Sequence, residues 1–306
     1  MKSLALTAML LGAPSAPPLT TTSPIAAPTA ASIAANASAS AWRPVAPDNL
    51  LLIDSARGQL VIELSPDFAP AHVAAVQALV RAHAFTGGAV VRVQDNYVVQ
   101  FAAREPQLTV GSKALADAVP PPSKRPALPA EYERPAAGVA FARLPGPDAY
   151  AAQAGFSDGW PVAREAGQLW PIHCYGTVGV GRDNPPDTGD GSELYAVIGH
   201  APRHLDRNMA VVGRVIAGIE GFASLPRGTE ALGFYKTVAE RTAITGATLA
   251  ADLPAAQRPR FEVMRTDTPT FASIVEARAN RREPFFVRPA GRADVCNVRI
   301  PVRRLR

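Results

Sequence analysis

The sequence predicts a mainly β fold, an antiparallel barrel or sandwich closed by helices. Short β-rich runs recur along the chain between turn residues, which is typical of antiparallel all-β architectures. Two helical patterns accompany them, one near the start and one after the last hairpin. The 30 prolines disfavour a helical bundle, because proline interrupts helices. With 306 residues, 47% of them hydrophobic, the chain is long enough to bury a sizeable core.

The N-terminal segment, residues 1–41, is expected to lie outside the fold. Lys2 and the apolar run of residues 4–11 have the pattern of a secretory signal peptide, and the run is too short to span a bilayer. Residues 13–41 are dominated by Ala, Ser, Thr and Pro and carry no charge, which predicts a disordered leader. The sequence therefore predicts a periplasmic or secreted protein whose folded domain begins at about Trp42.

Two strands and a helix are expected to open the folded domain. The strands cover residues 50–53 and 59–64, and Gly58 between them can adopt the positive φ that a tight turn needs. A helix is predicted over residues 69–83, with Asp67 as its N-terminal cap. Its core-facing positions recur at helical spacing and are Val73, Val76, Leu79 and Val80.

The hairpin of residues 90–101 follows and carries the central candidate residues. A two-residue loop would place Arg92 opposite Val99, whereas a three-residue loop ending at Tyr97 places Arg92 opposite Gln100. Only the second register separates the polar residues from the valines, so we prefer it. A guanidinium and a carboxamide beside an aromatic ring form a surface suited to an extended peptide. An ordinary hairpin with a solvated arginine is the alternative.

A long segment without clear periodicity separates this hairpin from the next strand. It covers residues 104–172, and residues 119–129 are rich in proline. The piece around Tyr132 could pair as a strand or pack as a short turn. A connection of this length inside a compact domain is normally functional or partly disordered, so we expect an irregular insertion.

Strands and helices are expected again in the C-terminal half. The strands are predicted over residues 175–180, 192–199, 209–217 and 244–249. A short helix is predicted over residues 219–225 and a longer one over residues 266–282, capped by Thr268. Residues 251–306 are expected to form an extension with a helix and a tail, packed on a domain of residues 42–250.

The two cysteines, Cys174 and Cys296, are a candidate disulfide in an exported protein, and two buried free thiols are the alternative. A metal site on His173 and Cys174 is not expected, because no second ligand pair has suitable spacing. No cofactor motif is present, and the net charge of +5 indicates a solvated surface rather than a nucleic-acid interface. Four histidines show no partner pattern and are assigned structural or exposed positions: His72, His83, His173 and His200.

Five segments occur in a recognisable order. They are GQLVIELSPDFAPAHVAAVQALV, VVRVQDNYVVQF, GTVGVGRDN, GSELYAVIG and HLDRNMAVVGRVIAGIE. This order, over about residues 50–225, resembles that of the cyclophilin-type peptidyl-prolyl cis/trans isomerases. The resemblance implies an eight-stranded antiparallel barrel capped by two helices, with a peptide groove on one outer face. It also implies proline-containing peptide segments as partners and no cofactor.

The resemblance assigns roles to individual residues. It implies that Arg92 is catalytic and stabilises the twisted X-Pro bond of the substrate. It implies that the bound peptide contacts the groove, with backbone hydrogen bonds from around Gly181 and Arg182. The expected substrate-binding residues are Tyr97, Val98, Gln100, Gly181, Arg182, Glu193, Tyr195 and Leu205.

The sequence also departs from the family at the rim of this groove. The family's tryptophan is His204 here, its groove histidine is Met209, and the two pocket aromatics, Tyr97 and Tyr195, have each gained a hydroxyl. A second hypothesis therefore stands beside the isomerase. It is a peptide-binding or chaperone module on the same scaffold, with weak or no catalytic activity.

Overall fold

We describe the protein from a computed structural model, in which residues 27–104 and 127–305 are placed. The expected signal peptide and part of the proline-rich stretch lie outside these described residues. Across the described ranges, none of the helices combines the length and the apolar character needed to cross a membrane.

The strands are short and are numbered in chain order. They are β1 (Trp42–Pro44), β2 (Leu50–Ser55), β3 (Gly58–Leu64), β4 (Ala89–Val93), β5 (Val98–Ala102), β6 (Arg134–Pro135), β7 (Ala142–Arg143), β8 (Gln153–Ser157), β9 (Trp160–Glu165), β10 (Gln168–Pro171), β11 (Thr177–Val180), β12 (Glu193–Val197), β13 (Val211–Ala217), β14 (Thr242–Leu249), β15 (Arg260–Met264) and β16 (Val302–Leu305). The α-helices are α1 (Ala30–Ala35), α2 (Pro70–Arg81), α3 (Ile219–Ala223) and α4 (Pro269–Ala279).

An eight-stranded antiparallel barrel forms the centre of the fold, as the sequence predicted. Its strands follow the order β11-β12-β5-β4-β14-β2-β3-β13 and close on themselves. Alternate residues of each strand fill the interior, as is usual in a barrel of this size. The buried interior includes Leu51, Ile53, Leu60, Ile62, Val99, Phe101, Leu194 and Ala196.

Two helices, α2 and α3, close the barrel. Phe222 of α3 and the four predicted positions of α2 belong to the same core as the barrel interior. The prediction that Asp67 caps α2 is wrong, because Ala69 is the N-cap residue and supplies no side-chain hydrogen bond. Glu131 caps the helix instead, since its carboxylate accepts the N–H groups of Ala71 at 2.9 Å and His72 at 3.0 Å. A local cap rule misses a partner that lies this far along the chain.

The expectation of an irregular insertion is wrong. Strands β6 to β10 form a five-stranded antiparallel sheet in the order β6-β10-β9-β8-β7. Two tight hairpins build it, with two-residue turns at Asp158-Gly159 and Ala166-Gly167. All four turn residues have positive φ, the conformation that favours Asp-Gly pairs in hairpins. The sheet packs on the barrel side through Trp160, whose ring meets Phe68 edge-on at 6.0 Å.

The expectation of a disordered leader is also wrong for residues 30–41. Helix α1 begins at a capping box in which the Thr29 side chain accepts the N–H of Ser32 at 3.1 Å. Its residues Ile33 and Ala34 pack in an apolar cluster with α4 and the insertion. Tertiary packing therefore orders a segment whose composition alone predicts disorder.

The C-terminal extension packs on both the barrel and the insertion. Strand β15 lies between β1 and β16 in a three-stranded sheet, and its Phe261 and Val263 contact barrel residues such as Leu52. Helix α4 begins at Thr268, whose hydroxyl accepts the N–H of Phe271 at 3.2 Å, as predicted. A disulfide joins Cys174 to Cys296, with 5.1 Å between their Cα atoms, and fastens the extension to the end of the insertion.

Candidate active site

A groove of about 720 Å³ lies on the outer face of β5 and β12. Val98 and Gln100 of β5, and Glu193 and Tyr195 of β12, face outward because their neighbours along each strand fill the barrel. Every site residue that the sequence predicted lines this groove: Arg92, Tyr97, Val98, Gln100, Gly181, Arg182, Glu193, Tyr195 and Leu205.

The β4–β5 hairpin has the predicted register. Arg92 pairs with Gln100, and Val93 pairs with Val99, across a loop that ends at Tyr97. The register shifts between Val90 and Arg92, which marks a bulge in β4. The bulge and the three-residue loop together place Arg92 and Gln100 on the groove face.

An apolar slot forms one part of the groove. Val98, Tyr195 and Val197 are buried there in a small cluster that is separate from the barrel core. Tyr97, Leu205 and Met209 are partly buried and pack against this cluster. The slot thus has an aliphatic and aromatic lining, which suits a ring without a hydrogen-bond donor.

The Arg92 guanidinium stands beside the slot and is held by three acceptors. Its Nε donates to the Leu232 carbonyl at 2.6 Å, its Nη1 donates to Oε1 of Gln100 at 3.3 Å, and its Nη2 donates to Oε1 of Gln94. Its Cζ also lies 5.5 Å from the centre of the Tyr97 ring. Arginine has five N–H donors. Within the described residues, one N–H on each terminal nitrogen of Arg92 remains for a ligand.

The Arg92 guanidinium is the charged group next to the slot, and other charged side chains, including Glu193, line the rest of the groove. Burial lowers the pKa of Arg92 from its usual value, and the nearby Tyr97 opposes that shift. Burial raises the pKa of Tyr97, against the effect of the Arg92 charge, and raises the pKa of Tyr195 well above its usual value. Both tyrosines are therefore neutral at physiological pH, and the slot presents uncharged rings next to a cation.

Gln100 links Arg92 to the opposite side of the groove. Its Oε1 accepts from Arg92, and its Nε2 donates to Oε2 of Glu193 at 2.6 Å. These two contacts fix the plane of the carboxamide. The second N–H of that amide has no acceptor within the part of the chain that the structure describes, so it is available to a ligand carbonyl.

Residues 181 and 182 border the groove, and the expectation that backbone around them contacts the peptide stays a prediction. The N–H of Gly181 donates to the Glu193 carbonyl at 2.8 Å, so it is part of the barrel and cannot serve a peptide. The Arg182 side chain is held locally, because its Nε and Nη2 both donate to the Asn208 carbonyl, at 3.1 and 3.0 Å. The resemblance alone could not reveal these internal partners.

The buried histidine beneath the slot, His173, has a structural position, but its partners were not predicted from the sequence. His173 has no exposed surface, its Nδ1 lies 2.9 Å from Oδ1 of Asp206, and its Nε2 lies 2.9 Å from the Tyr195 hydroxyl. Asp206 also accepts from the His173 backbone N–H at 3.0 Å and from Nε of Arg203 at 2.5 Å. A usable signal was present, since a buried tyrosine hydroxyl requires a partner.

The loop beside Arg92 was missed as well. Leu232 and Phe234 line the groove, and the centre of the Phe234 ring lies 5.3 Å from Cζ of Arg92. The sequence patterns had assigned no element to residues 226–243. No recognisable motif marks it.

Comparisons with known proteins agree with this geometry. A family model described as cyclophilin type peptidyl-prolyl cis-trans isomerase/CLD matches residues 50–245. Proteins named "Probable peptidyl-prolyl cis-trans isomerase" from Brucella suis biovar 1 and Brucella melitensis biotype 1 are each 28% identical over 186 residues, which cover 60% of this chain and 75% of theirs.

A solved structure shares the fold over most of the chain. The crystal structure of cyclophilin AquaCyp293 from Hirschia baltica aligns with a TM-score of 0.65 and 24% sequence identity, covering 91% of this chain and 98% of that one. The shared fold therefore extends well beyond the barrel. From the family match and the groove together, we conclude that this chain belongs to the cyclophilin-type peptidyl-prolyl cis-trans isomerase family.

Proposed function

We propose that the protein catalyses cis/trans isomerisation of X-Pro bonds in exported proteins, with Arg92 stabilising the twisted imide. The observation that carries this proposal is the position of the Arg92 guanidinium. It lines the same groove as the apolar slot and keeps two N–H donors for a ligand within the described chain. Proline-containing segments of unfolded or folding proteins are the substrates in this proposal.

The slot would hold the proline ring. Val98 and Tyr195 form its floor, and Tyr97, Leu205 and Met209 border it. A pyrrolidine ring has no N–H group to satisfy, so its transfer from water into such a slot costs no hydrogen bond. Holding the ring fixes one side of the X-Pro bond, while the residue before proline remains able to rotate.

Arg92 would act on the nitrogen of that bond. The planar peptide resists rotation by about 18–20 kcal/mol, because the nitrogen lone pair is delocalised into the carbonyl. In the twisted state the lone pair returns to nitrogen and can accept a hydrogen bond. A donor that binds only this state lowers the barrier, and one well-placed donor is worth about 3–4 kcal/mol. The three acceptors on Arg92 fix the guanidinium before the reaction, so little reorganisation is needed.

Gln100 would orient the peptide backbone. Its amide plane is fixed between Arg92 and Glu193, which leaves one N–H directed by that geometry. A substrate carbonyl bound there would lie beside the guanidinium, since the two side chains are paired across the hairpin. No proton transfer is required in this mechanism, because only the rotation of a bond is accelerated.

Two features support exported substrates. Residues 1–16 have the pattern of a signal peptide, and the Cys174–Cys296 disulfide suits an oxidising compartment. Cell fractionation of the tagged full chain tests this part of the proposal. Recovery in the periplasm or medium would support it, and exclusive recovery in the cytoplasm would contradict it.

A protease-coupled isomerisation assay on several X-Pro peptides tests the catalytic proposal. We expect Arg92→Ala to lower kcat/KM by about a few hundredfold, from the loss of one transition-state donor. Arg282→Ala is the matched control, because Arg282 forms an exposed ion pair with Glu276 in the extension. Peptide binding by the wild type without any rate gain would contradict the proposal and favour a binding module.

A further inference from the structure

A loop of residues 226–235, which we name the rim loop, lies along the groove beside Arg92. It is fastened to the β4–β5 hairpin at both of its ends. The N–H of Gly228 donates to the Val93 carbonyl at 3.0 Å, and the N–H of Tyr235 donates to the Val91 carbonyl at 3.1 Å. Nε of Arg227 lies 3.0 Å from Oδ1 of Asp95 in the hairpin loop. The rim loop is therefore a fixed part of the site.

The backbone of the rim loop lies directly on the hairpin. Gly233 has a φ of +79°, and a Cβ at this position would lie 2.7 Å from the Cα of Gln94. Only glycine permits so close an approach. This approach places the preceding residue, Leu232, above Arg92, where its carbonyl accepts the Nε hydrogen at 2.6 Å.

Leu232 has two features that packing does not explain. Its φ is +59°, a left-handed conformation that is unfavourable for a branched apolar side chain. Its side chain is also 64% exposed, although it lines the groove. Phe234, two residues later, is 37% exposed and lines the same groove. Exposed apolar groups in a strained and firmly attached loop are typical of a binding surface.

The apolar surface of the rim loop is continuous with the slot. The Arg92 guanidinium contacts the Tyr97 ring at 5.5 Å and the Phe234 ring at 5.3 Å, so it links the two aromatic surfaces. An extended peptide advances about 3.3 Å per residue. A peptide whose proline occupies the slot can therefore bring a side chain one or two residues away onto Leu232 and Phe234.

We infer that Leu232 and Phe234 form a subsite for one apolar side chain next to the proline, and that this subsite sets the sequence preference of the enzyme. The inference rests on the proposed function, because it places proline in the slot. The occupant is apolar, since the exposed lining of the subsite consists of an aliphatic and an aromatic side chain. The Arg92 guanidinium already has three protein acceptors, and it borders this apolar surface instead of forming it.

The test compares peptides that differ at one position beside proline. Each of the two positions before and the two after proline carries Leu, Ala or Glu in turn. For the wild type we expect Leu to exceed Ala by about tenfold in kcat/KM at one of these positions. Leu232→Asn should reduce this ratio to nearly one, because asparagine tolerates the left-handed backbone while its side chain is polar.

Val238→Asn is the matched control, since Val238 is 68% exposed and lies outside the residues that line the groove. It should retain the tenfold preference. Equal rates for Leu and Ala at all four positions, a preference for Glu, or an unchanged preference in Leu232→Asn would overturn the inference.

Peptide affinity, measured by fluorescence anisotropy, separates failure of this inference from failure of the proposed function. If the wild type accelerates isomerisation of none of the peptides, the proposed function is contradicted. A Leu-to-Ala affinity ratio that Leu232→Asn abolishes would then still support the subsite. Turnover without a Leu preference in either rate or affinity would overturn the subsite and leave the isomerase intact.

Discussion

The two sides of the groove are supported in different ways. Behind the slot, the Tyr195 hydroxyl is held by His173, which is held in turn by Asp206, and both of these residues are buried. On the other side, Arg92 is held by the rim loop, whose Leu232 and Phe234 remain partly exposed. A buried polar network has few alternative arrangements, whereas an exposed loop can change in sequence without disturbing the core. In the proposed mechanism, recognition of proline would therefore depend on the buried network, and reactivity and flanking preference would depend on the side of the groove that holds Arg92.

Removing the centre of the buried network should produce the largest effect on stability. In Asp206→Ala, the charge of Arg203 and the ring of His173 lose a shared acceptor. We expect the free energy of unfolding to fall by about 3–5 kcal/mol, as for other buried pairs that lose one partner. Urea denaturation measures it. Asp267→Ala, at an exposed ion pair with Arg265, is the control and should change stability by less than about 1 kcal/mol.

On the rim side, a conservative change should affect catalysis and leave stability nearly intact. Arg92→Lys keeps the charge but cannot satisfy the Leu232, Gln94 and Gln100 acceptors with one planar group. We expect kcat/KM to fall by about 10- to 100-fold, or roughly 1.4–2.7 kcal/mol of transition-state stabilisation. The melting temperature should hardly change. A lysine variant with full activity would show that charge alone suffices.

A smaller effect is expected when the slot loses only its hydroxyl. Tyr195→Phe leaves Nε2 of His173 without its 2.9 Å partner while the ring remains in place. We expect a loss of about 1–2 kcal/mol in unfolding free energy, with peptide affinity almost unchanged. If affinity collapsed while stability held, the hydroxyl itself would have to contact the substrate.

The smallest expected effect is on the acid side of the pH profile. Asp148 in the insertion accepts from Arg203 at 2.9 and 3.1 Å. Burial acts to raise the pKa of Asp148, but the hydrogen bonds and charge of Arg203, together with hydrogen bonds from the backbone of Tyr150 and Ala151, outweigh it and lower the pKa overall. Because the folded-state pKa lies below the unfolded value, the stabilisation is present above the unfolded pKa. It is lost as pH falls through the folded pKa.

Unfolding free energies measured between neutral pH and about pH 2.5 test this, since the ordinary aspartate pKa is about 3.9. The decline toward acid should be shallower in Asp148→Asn than in the wild type. Identical profiles would show that this ion pair contributes nothing to acid sensitivity.

The barrel and the register of its key hairpin could be predicted from the sequence, because side-chain alternation is a local signal. The sequence pattern predicted that Arg92 faces Gln100, because this register separates the polar face of the hairpin from its apolar face, and the structure has this pairing. The insertion sheet was missed because its strands are short and interrupted by proline. The Asp158-Gly159 turn was nevertheless a usable hairpin signal.

The hydrogen bonds that hold the site residues and helix α2 in place could not be predicted in the same way. His173 reaches Asp206 and Tyr195, and Glu131 reaches α2, across long separations in sequence. Such contacts depend on the packed fold, and a motif match does not contain them. The rim loop was missed for a related reason, since the exposure and backbone strain of Leu232 are properties of the structure alone.

The capping of α2 by Glu131 bears on how the chain must be made. The first turn of this helix and the ring of buried His72 both depend on a carboxylate about sixty residues further along. While the ribosome has released only the first half of the barrel, α2 lacks its N-terminal acceptor. A shortened chain without the insertion would lack the Glu131 carboxylate altogether, so the first turn of α2 would stay without this acceptor. A minimal form of this domain that keeps Glu131, or another acid in its place, should therefore be more stable than one without it, by about 0.5–2 kcal/mol.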